Sequence, residues 1–150
     1  MDLWQFIKND HQNVDQIFEQ ILKEGDGAIS RDQLFAQLRR ELEAHTKIEE
    51  DVFYPALEQH QDLREMAGHA RREHGEVKQM LKDLSLGKAT GAEWMSRFEK
   101  LKESVQHHVR EEEDKIIPAA QKAIDGQKAA ELLRAMEHDK IAALKAAAAG

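Results

Sequence analysis

The sequence has no cysteine. Thiolate zinc sites, iron–sulfur clusters and disulfides are therefore excluded, and any metal must be held by nitrogen and oxygen donors. Proline occurs only twice and glycine eight times in 150 residues, so few positions force a turn or a break. Residues that favour strands are scarce as well. No apolar run approaches the roughly 18–20 residues needed to cross a bilayer. The opening MDLWQFIKND lacks the basic-then-apolar order of a secretory signal. The chain reads as soluble and cytoplasmic, with no membrane partner. Basic residues are in the minority, 22 against 29 acidic, for a net charge of −7. That balance favours solubility and argues against a nucleic-acid partner, which needs a basic face.

What is present is helix-forming chemistry: Ala, Leu, Glu, Lys and Gln, with apolar residues at helical spacing throughout. A first helix spans about 3–24, with Leu3, Ile7, Val14, Ile17, Phe18 and Ile21 on one stripe and Gly25, Asp26 and Gly27 as its stop. Ser30 and Gln33 form a capping box for a second helix with the stripe Leu34, Leu38, Leu42, Ile48, Val52 and Ala56. Asp62 and Glu65 offer the same for a third, with Leu63, Ala67, Ala70, Val77, Leu81 and Leu84. After a loop over 85–91, a fourth carries Phe98, Leu101, Val105, Ile116 and Ala119. Pro55 and Pro118 should kink or break the second and fourth helices. Asp125 and Gly126 make a turn into a fifth helix near 128–146, with Leu132, Leu133, Met136, Ile141 and Leu144, and a frayed Ala-rich end. The expected fold is all-α: an up-down-up-down four-helix bundle over about 3–124 with an additional C-terminal helix, in a single domain over 1–150. A chain of this length buries about 70% of its unfolded surface.

One pattern occurs twice. His11, His45, Glu49 and Pro55 recur as His74, His108, Glu112 and Pro118, at a constant offset of 63 residues. All six histidines and glutamates fall in core-facing rows, where a bundle normally places Leu or Val. An isolated buried carboxylate costs many kcal/mol and would shift its pKa to become neutral. Cations offset that cost by pairing with carboxylates and neutral imidazoles. Within each His-x-x-x-Glu the two side chains leave one helix face a turn apart. The first hairpin brings His11 and His45 to one level, with about 20 Å and about 22 Å of helix above them. The second fits less well by this count, because its return helix is longer before His108. Each half supplies two imidazoles and one carboxylate, which makes a site for two metals bridged by the carboxylates. Mixed imidazole and carboxylate donors suit iron, with manganese and zinc as competitors. Ferritin-like bundles use Glu-x-x-His and more carboxylates, so they fit less well.

The set His11, His45-x-x-x-Glu49, His74, His108-x-x-x-Glu112 resembles the hemerythrin-like family, the HHE cation-binding domains. AHTKIEEDVFYPAL and HHVREEEDKIIPAA look like the two ligand helices of that family. The resemblance implies a four-helix bundle around two non-haem iron ions bridged by an oxo or hydroxo group. It implies a small partner such as O₂, NO or peroxide, handled by sensing, storage or transport, or by a di-iron oxidoreductase. The chain departs from the oxygen carriers in two places. Lys78 stands four residues after His74 where they have a histidine, and the last motif is His-x-x-x-Glu. One iron is left with an open or water-filled position, which favours redox or sensing chemistry over simple carriage. Whether His69, His107 or Tyr54 supplies a fifth protein ligand is open, as is the oligomeric state. Glu50, Asp51, Glu111, Glu113 and Asp114 read as a solvated face from which some orient the imidazoles. Tyr54 could approach the metals after the Pro55 kink but reads as a packing residue with a satisfied hydroxyl, and Trp4 and Trp94 read as packing at one end of the bundle.

Overall fold

The apolar stripes fold as α1 (Leu3–Glu24), α2 (Ala28–Ile48), α3 (Tyr54–Glu58), α4 (Arg64–Leu86), α5 (Gly91–Glu111), α6 (Ile117–Ala123) and α7 (Gly126–Ala149). The computed structural model describes residues 1–24, 28–87 and 89–149, and no strand occurs among them. The turn expected at 25–27 and the side-chain cap of Ser30 lie outside the described residues. The capping box at Asp62 and Glu65 is not made. Asp62 sits inside a 3₁₀ turn, Gln61–Leu63, which leads directly into α4, and neither start has a side-chain cap.

The prolines do not break their helices. Each is preceded by one π turn, Glu49–Phe53 joining α2 to α3 and Glu112–Ile116 joining α5 to α6. Proline has no N–H, and its ring clashes with the carbonyl four residues back. Widening the turn relieves the clash and keeps the rod continuous, with the Tyr54 N–H donating to the Glu49 carbonyl and the Ile117 N–H to the Glu112 carbonyl. Pro55 has no N–H to give the carbonyl of Glu50, and Arg71 Nη2 donates to that oxygen instead, at 3.2 Å. The result is four long rods in two hairpins. The second hairpin closes as well as the first, because Ala28 to His45 and Gly91 to His108 are equal lengths of helix.

Two apolar layers fill the bundle. One contains Leu3, Phe6, Ile48, Phe53, Leu57, Leu63, Ile117 and Ala120. The other contains Ile17, Phe18, Leu38, Leu81, Trp94, Phe98 and Leu101. Trp4 packs on Phe53 in the first layer and Trp94 stacks on Phe98 in the second. The two tryptophans therefore serve opposite ends, not one end. Between the layers lies a belt of buried polar residues: Asp10, His11, His45, Thr46, Glu49, His74, His108 and Glu112.

The fifth helix, α7, lies along α2 and α1. Asp125 caps it, its carboxylate accepting from the Lys128 N–H at 2.8 Å. Ala129, Leu132 and Met136 join the first apolar layer. Ile141 is exposed, contrary to its expected place on the stripe. By that height the helix has reached the polar belt, and its contact is Lys140, whose ammonium pairs with Asp10. The Ala-rich end remains helical to Ala149, as the high helix propensity of alanine allows. No helix among the described residues is long and apolar enough to cross a membrane.

Candidate metal centre

The structure brings all six expected residues into the belt. His11 and His45 pair at a ring separation of 5.0 Å, and His74 and His108 at 4.7 Å. The two carboxylates lie between the pairs, and each spans both. Glu49 Oε1 is 2.9 Å from His45 Nε2 on its own rod and 3.2 Å from His74 Nε2 in the other hairpin. Glu112 does the reverse, with Oε2 3.3 Å from His108 Nε2 and Oε1 3.0 Å from His11 Nε2. Two overlapping groups result, His11, His45, Glu49, Glu112 and Glu49, His74, His108, Glu112, each with its donor atoms close enough to hold a cation.

The chemistry of the set fits cations. Both glutamates are 0% exposed. Two carboxylates facing one another without water need a proton or a cation between them. Glu49 Oε2 is buried with no hydrogen-bond partner. His74 Nε2 and His108 Nε2 face each other at 3.0 Å, a separation at which two lone pairs need a proton or a cation between them. Burial opposes charge on His108, yet Glu112, Glu49 and Glu73 outweigh it and push the imidazole up to about 9. Burial likewise opposes charge on His45 and His11. The carboxylates of Glu49 and Asp10 raise the first well above its usual range, and Glu112 and Glu113 raise the second. Burial would raise the Glu112 carboxyl, but its contacts with Glu49, His108 and His11 hold it well below the usual range.

Behind the imidazoles stands a second ring of acids, also repeated at 63 residues. Asp10 Oδ2 is 3.0 Å from His45 Nδ1, and Glu73 Oε1 is 2.9 Å from His108 Nδ1. Glu113 Oε2 is 2.6 Å from His11 Nδ1. Its counterpart Glu50 is 3.6 Å from His74 Nδ1, beyond a hydrogen bond, because Lys78 Nζ holds Glu50 at 2.7 Å. Burial opposes charge on Glu50, while His74 and Lys78 together bring its carboxyl down to about 2. Such acids fix the ring orientation and leave Nε2 free to face the centre. The sequence signal for Glu50 and Glu113 is their place next to Glu49 and Glu112. Asp10 and Glu73 were missed, although each directly precedes a repeated histidine.

Tyr54 does reach the centre, as the proline beside it allowed. Its hydroxyl donates to Glu112 Oε2 at 2.7 Å and lies 3.3 Å from Glu49 Oε1, 3.1 Å from His74 Nε2 and 3.3 Å from His108 Nε2. It is not a simple packing residue. Burial, with Glu112 and Glu49 alongside, raises the phenol well above its usual range and keeps it protonated. In an α-helix Tyr54 would sit about 140° round from Glu49. The i→i+5 spacing of the π turn brings it back over that residue. His69 and His107 are exposed and stay outside the centre.

The four imidazoles open on one side to a cavity of about 20 Å³, walled by Val14, Leu42, Thr46, Val77, Val105 and Val109. A solvent-open cleft of about 460 Å³ between α1 and α5 shares His11, Val14, Val105 and Val109 with it.

An antiparallel bundle with a buried, two-fold-repeated imidazole and carboxylate belt is a helical cation-binding scaffold. Residues 2–120 match the Hemerythrin HHE cation binding domain, and the chain belongs to that family. It is similar to an uncharacterized hemerythrin-like protein of Schizosaccharomyces pombe, 33% identical over 67% of this chain and 50% of that one. It is also similar to a DNA nickase of a Nostoc species, 27% identical over 79% of this chain and 33% of that one. The chain therefore spans half or less of the length of these curated relatives. A solved hemerythrin HHE cation-binding domain-containing protein from Mycobacterium kansasii shares the fold, with a TM-score of 0.87 at 24% identity over 97% of this chain and 89% of that one.

Proposed function

We propose that this chain is a non-haem di-iron protein whose buried centre binds O₂ or a related diatomic for sensing, storage or transport. His11 and His45 would hold one ion and His74 and His108 the other, with Glu49 and Glu112 available to both. Iron is favoured among first-row metals by the mixed imidazole and carboxylate donors. When bound, the two ions supply electrons and Lewis acidity to a small ligand. The single observation that carries the reading is the cavity of about 20 Å³ against the imidazoles. A cavity of about 10–15 Å³ admits one water, so this one suits a ligand of two heavy atoms and little more. Its valines exclude bulk water, and the cleft between α1 and α5 is the way in.

The test is metal analysis with an optical spectrum. Two irons per chain and a charge-transfer band that appears on exposing reduced protein to O₂ and reverses on its removal support the reading. Stoichiometric absence of iron, or oxidation with no reversible adduct, refutes it.

A second reading has its own support in Tyr54. A buried phenol hydrogen-bonded to Glu112 is a hydrogen-bond donor placed at the His74–His108 side, where the motif lacks a fifth histidine. That suits a di-iron oxidoreductase acting on peroxide or NO. Turnover of hydrogen peroxide or NO by the iron-loaded chain, abolished by His108→Ala, separates it from the first reading.

A further inference from the structure

A second group of donor side chains lies outside the buried centre, on the face shared by α4 and α5. His69 and Glu73 stand one turn apart on α4, and His107 and Glu111 stand one turn apart on α5. The imidazoles converge on the same two carboxylates. His69 Nε2 is 3.2 Å from Glu111 Oε2 and 3.6 Å from Glu73 Oε2. His107 Nε2 is 3.2 Å from Glu111 Oε1 and 3.5 Å from Glu73 Oε2. The donor atoms of His69, Glu73 and Glu111 all lie within 4.8 Å of one another. Donors about 2.0–2.1 Å from a tetrahedral divalent cation are separated by about 3.3–3.4 Å. His69, Glu73 and Glu111 come near that value as they stand, and His107, which reaches the other oxygen of Glu111, completes a set of four once side chains shift.

Two further observations favour a cation here. Among the described residues, no Lys or Arg comes within ion-pair distance of Glu73 or Glu111, although Lys115 acts on Glu111 from one turn away; their close partners are imidazoles. An open depression of about 210 Å³ adjoins the group and adds Glu76 and Glu103 to its rim. The side chains of His69 and His107 are 51% and 57% exposed, so an ion can reach them without any opening of the bundle.

We propose that His69, Glu73, His107 and Glu111 form an outer site for a first-row divalent cation, distinct from the six inward residues and joined to them through Glu73. Glu73 faces both ways. Its Oε1 accepts from His108 Nδ1 at 2.9 Å, while Oε2 faces the two outer imidazoles. A cation on Oε2 draws charge from the carboxylate that orients His108, so the two sites are coupled, and coupling of this kind is reciprocal. Two imidazoles and two carboxylates suit zinc or ferrous iron better than calcium or magnesium, which prefer oxygen alone. The outer site does not depend on the identity of the metal in the centre.

Zinc is the practical probe because it is diamagnetic and redox-silent. The full chain and the His69→Ala/His107→Ala double variant are dialysed to equilibrium against zinc, and the histidine ring protons are followed by NMR. The expected result is one more equivalent of zinc in the wild type than in the variant. The resonances of His69 and His107 shift with that last equivalent, and the melting temperature of the metal-free chain is the same in both. Equal zinc content in the two proteins, or outer resonances that never move, overturns the proposal. If the buried centre takes no metal, both totals fall together and the difference of one equivalent persists, so the two failures are distinguishable.

Discussion

Tyr54 and Ile117 hold the same position in the two halves of the chain, directly after the π turn and before the proline, and they are chemically opposite. Tyr54 puts its hydroxyl 2.7 Å from Glu112 Oε2, at the polar belt. Ile117 belongs to the apolar layer below it. The duplicated site is therefore asymmetric, with one phenol on the His74–His108 side. Tyr54→Phe removes that hydroxyl and leaves the ring. The metal-free variant should lose about 1.5–3 kcal/mol, the range for a hydrogen bond to a charged group, read by denaturant unfolding. The metal-loaded variant should keep its metal content. Its rate of reaction with O₂ or peroxide should change at least tenfold, measured by stopped-flow absorbance.

Asp10 acts on the centre through His45 Nδ1, and Lys140 of α7 holds it from behind. Burial works to raise the Asp10 carboxyl, but the His45 imidazole, and after it the Lys140 ammonium, keep it below its usual range. Asp10→Asn should retain the fold and weaken metal affinity by about 10–100-fold, the usual effect of losing a carboxylate behind a metal-binding imidazole. Competition with a chromophoric chelator measures it.

Pro55 sets the π turn that carries Glu49 and Tyr54. Pro55→Ala restores an N–H and removes the ring clash, so the turn should relax towards α geometry and rotate Tyr54 away from the centre. The metal-free variant should unfold at no lower denaturant than wild type, because alanine gains helix propensity. Its metal affinity should fall. Circular dichroism and chelator competition together make the comparison, and unchanged affinity would disprove the role given to the π turn.

Metal uptake should release protons. The imidazole of His108 is pushed up to about 9 by Glu112, Glu49 and Glu73 against the opposing effect of burial. A group with a raised pKa is protonated at neutral pH, and a metal must displace that proton. Apparent affinity should therefore keep rising from pH 7 through about 9 instead of levelling above the ordinary histidine range near 6.5. Calorimetry in buffers of different ionisation enthalpy counts the protons.

Phe98 is fully buried in the second apolar layer, against Phe18 at a ring separation of 5.3 Å and stacked on Trp94 at 5.2 Å. Phe98→Ala should cost about 3–5 kcal/mol, read from the unfolding midpoint. Metal content should be unaffected, because the substitution lies in the apolar layer and not in the polar belt.

The amino-acid sequence by itself determined the helices, their pairing into two hairpins and the six inward residues His11, His45, Glu49, His74, His108 and Glu112. Those features are written in local periodicity and in a repeat, and both survive any arrangement of the rods that buries the stripes. His11 meets His45 within the first hairpin, but which carboxylate crosses to which imidazole was decided by tertiary structure, since His11 meets Glu112 and His74 meets Glu49 only when the hairpins face each other. The ring of orienting acids was equally hidden. Asp10 and Glu73 look like ordinary helix-surface residues until a neighbouring rod brings Nδ1 of a histidine within 3.0 Å and 2.9 Å of them. The reach of Tyr54 stayed open because helical counting assumes 3.6 residues per turn, and the proline changes that count for one turn where the candidate centre lies. Lys140 could not be connected to Asp10 across 130 residues by any local rule. Local spacing fixes which face a side chain takes, while the packing of α7 on α1 and α2 fixes what that face meets.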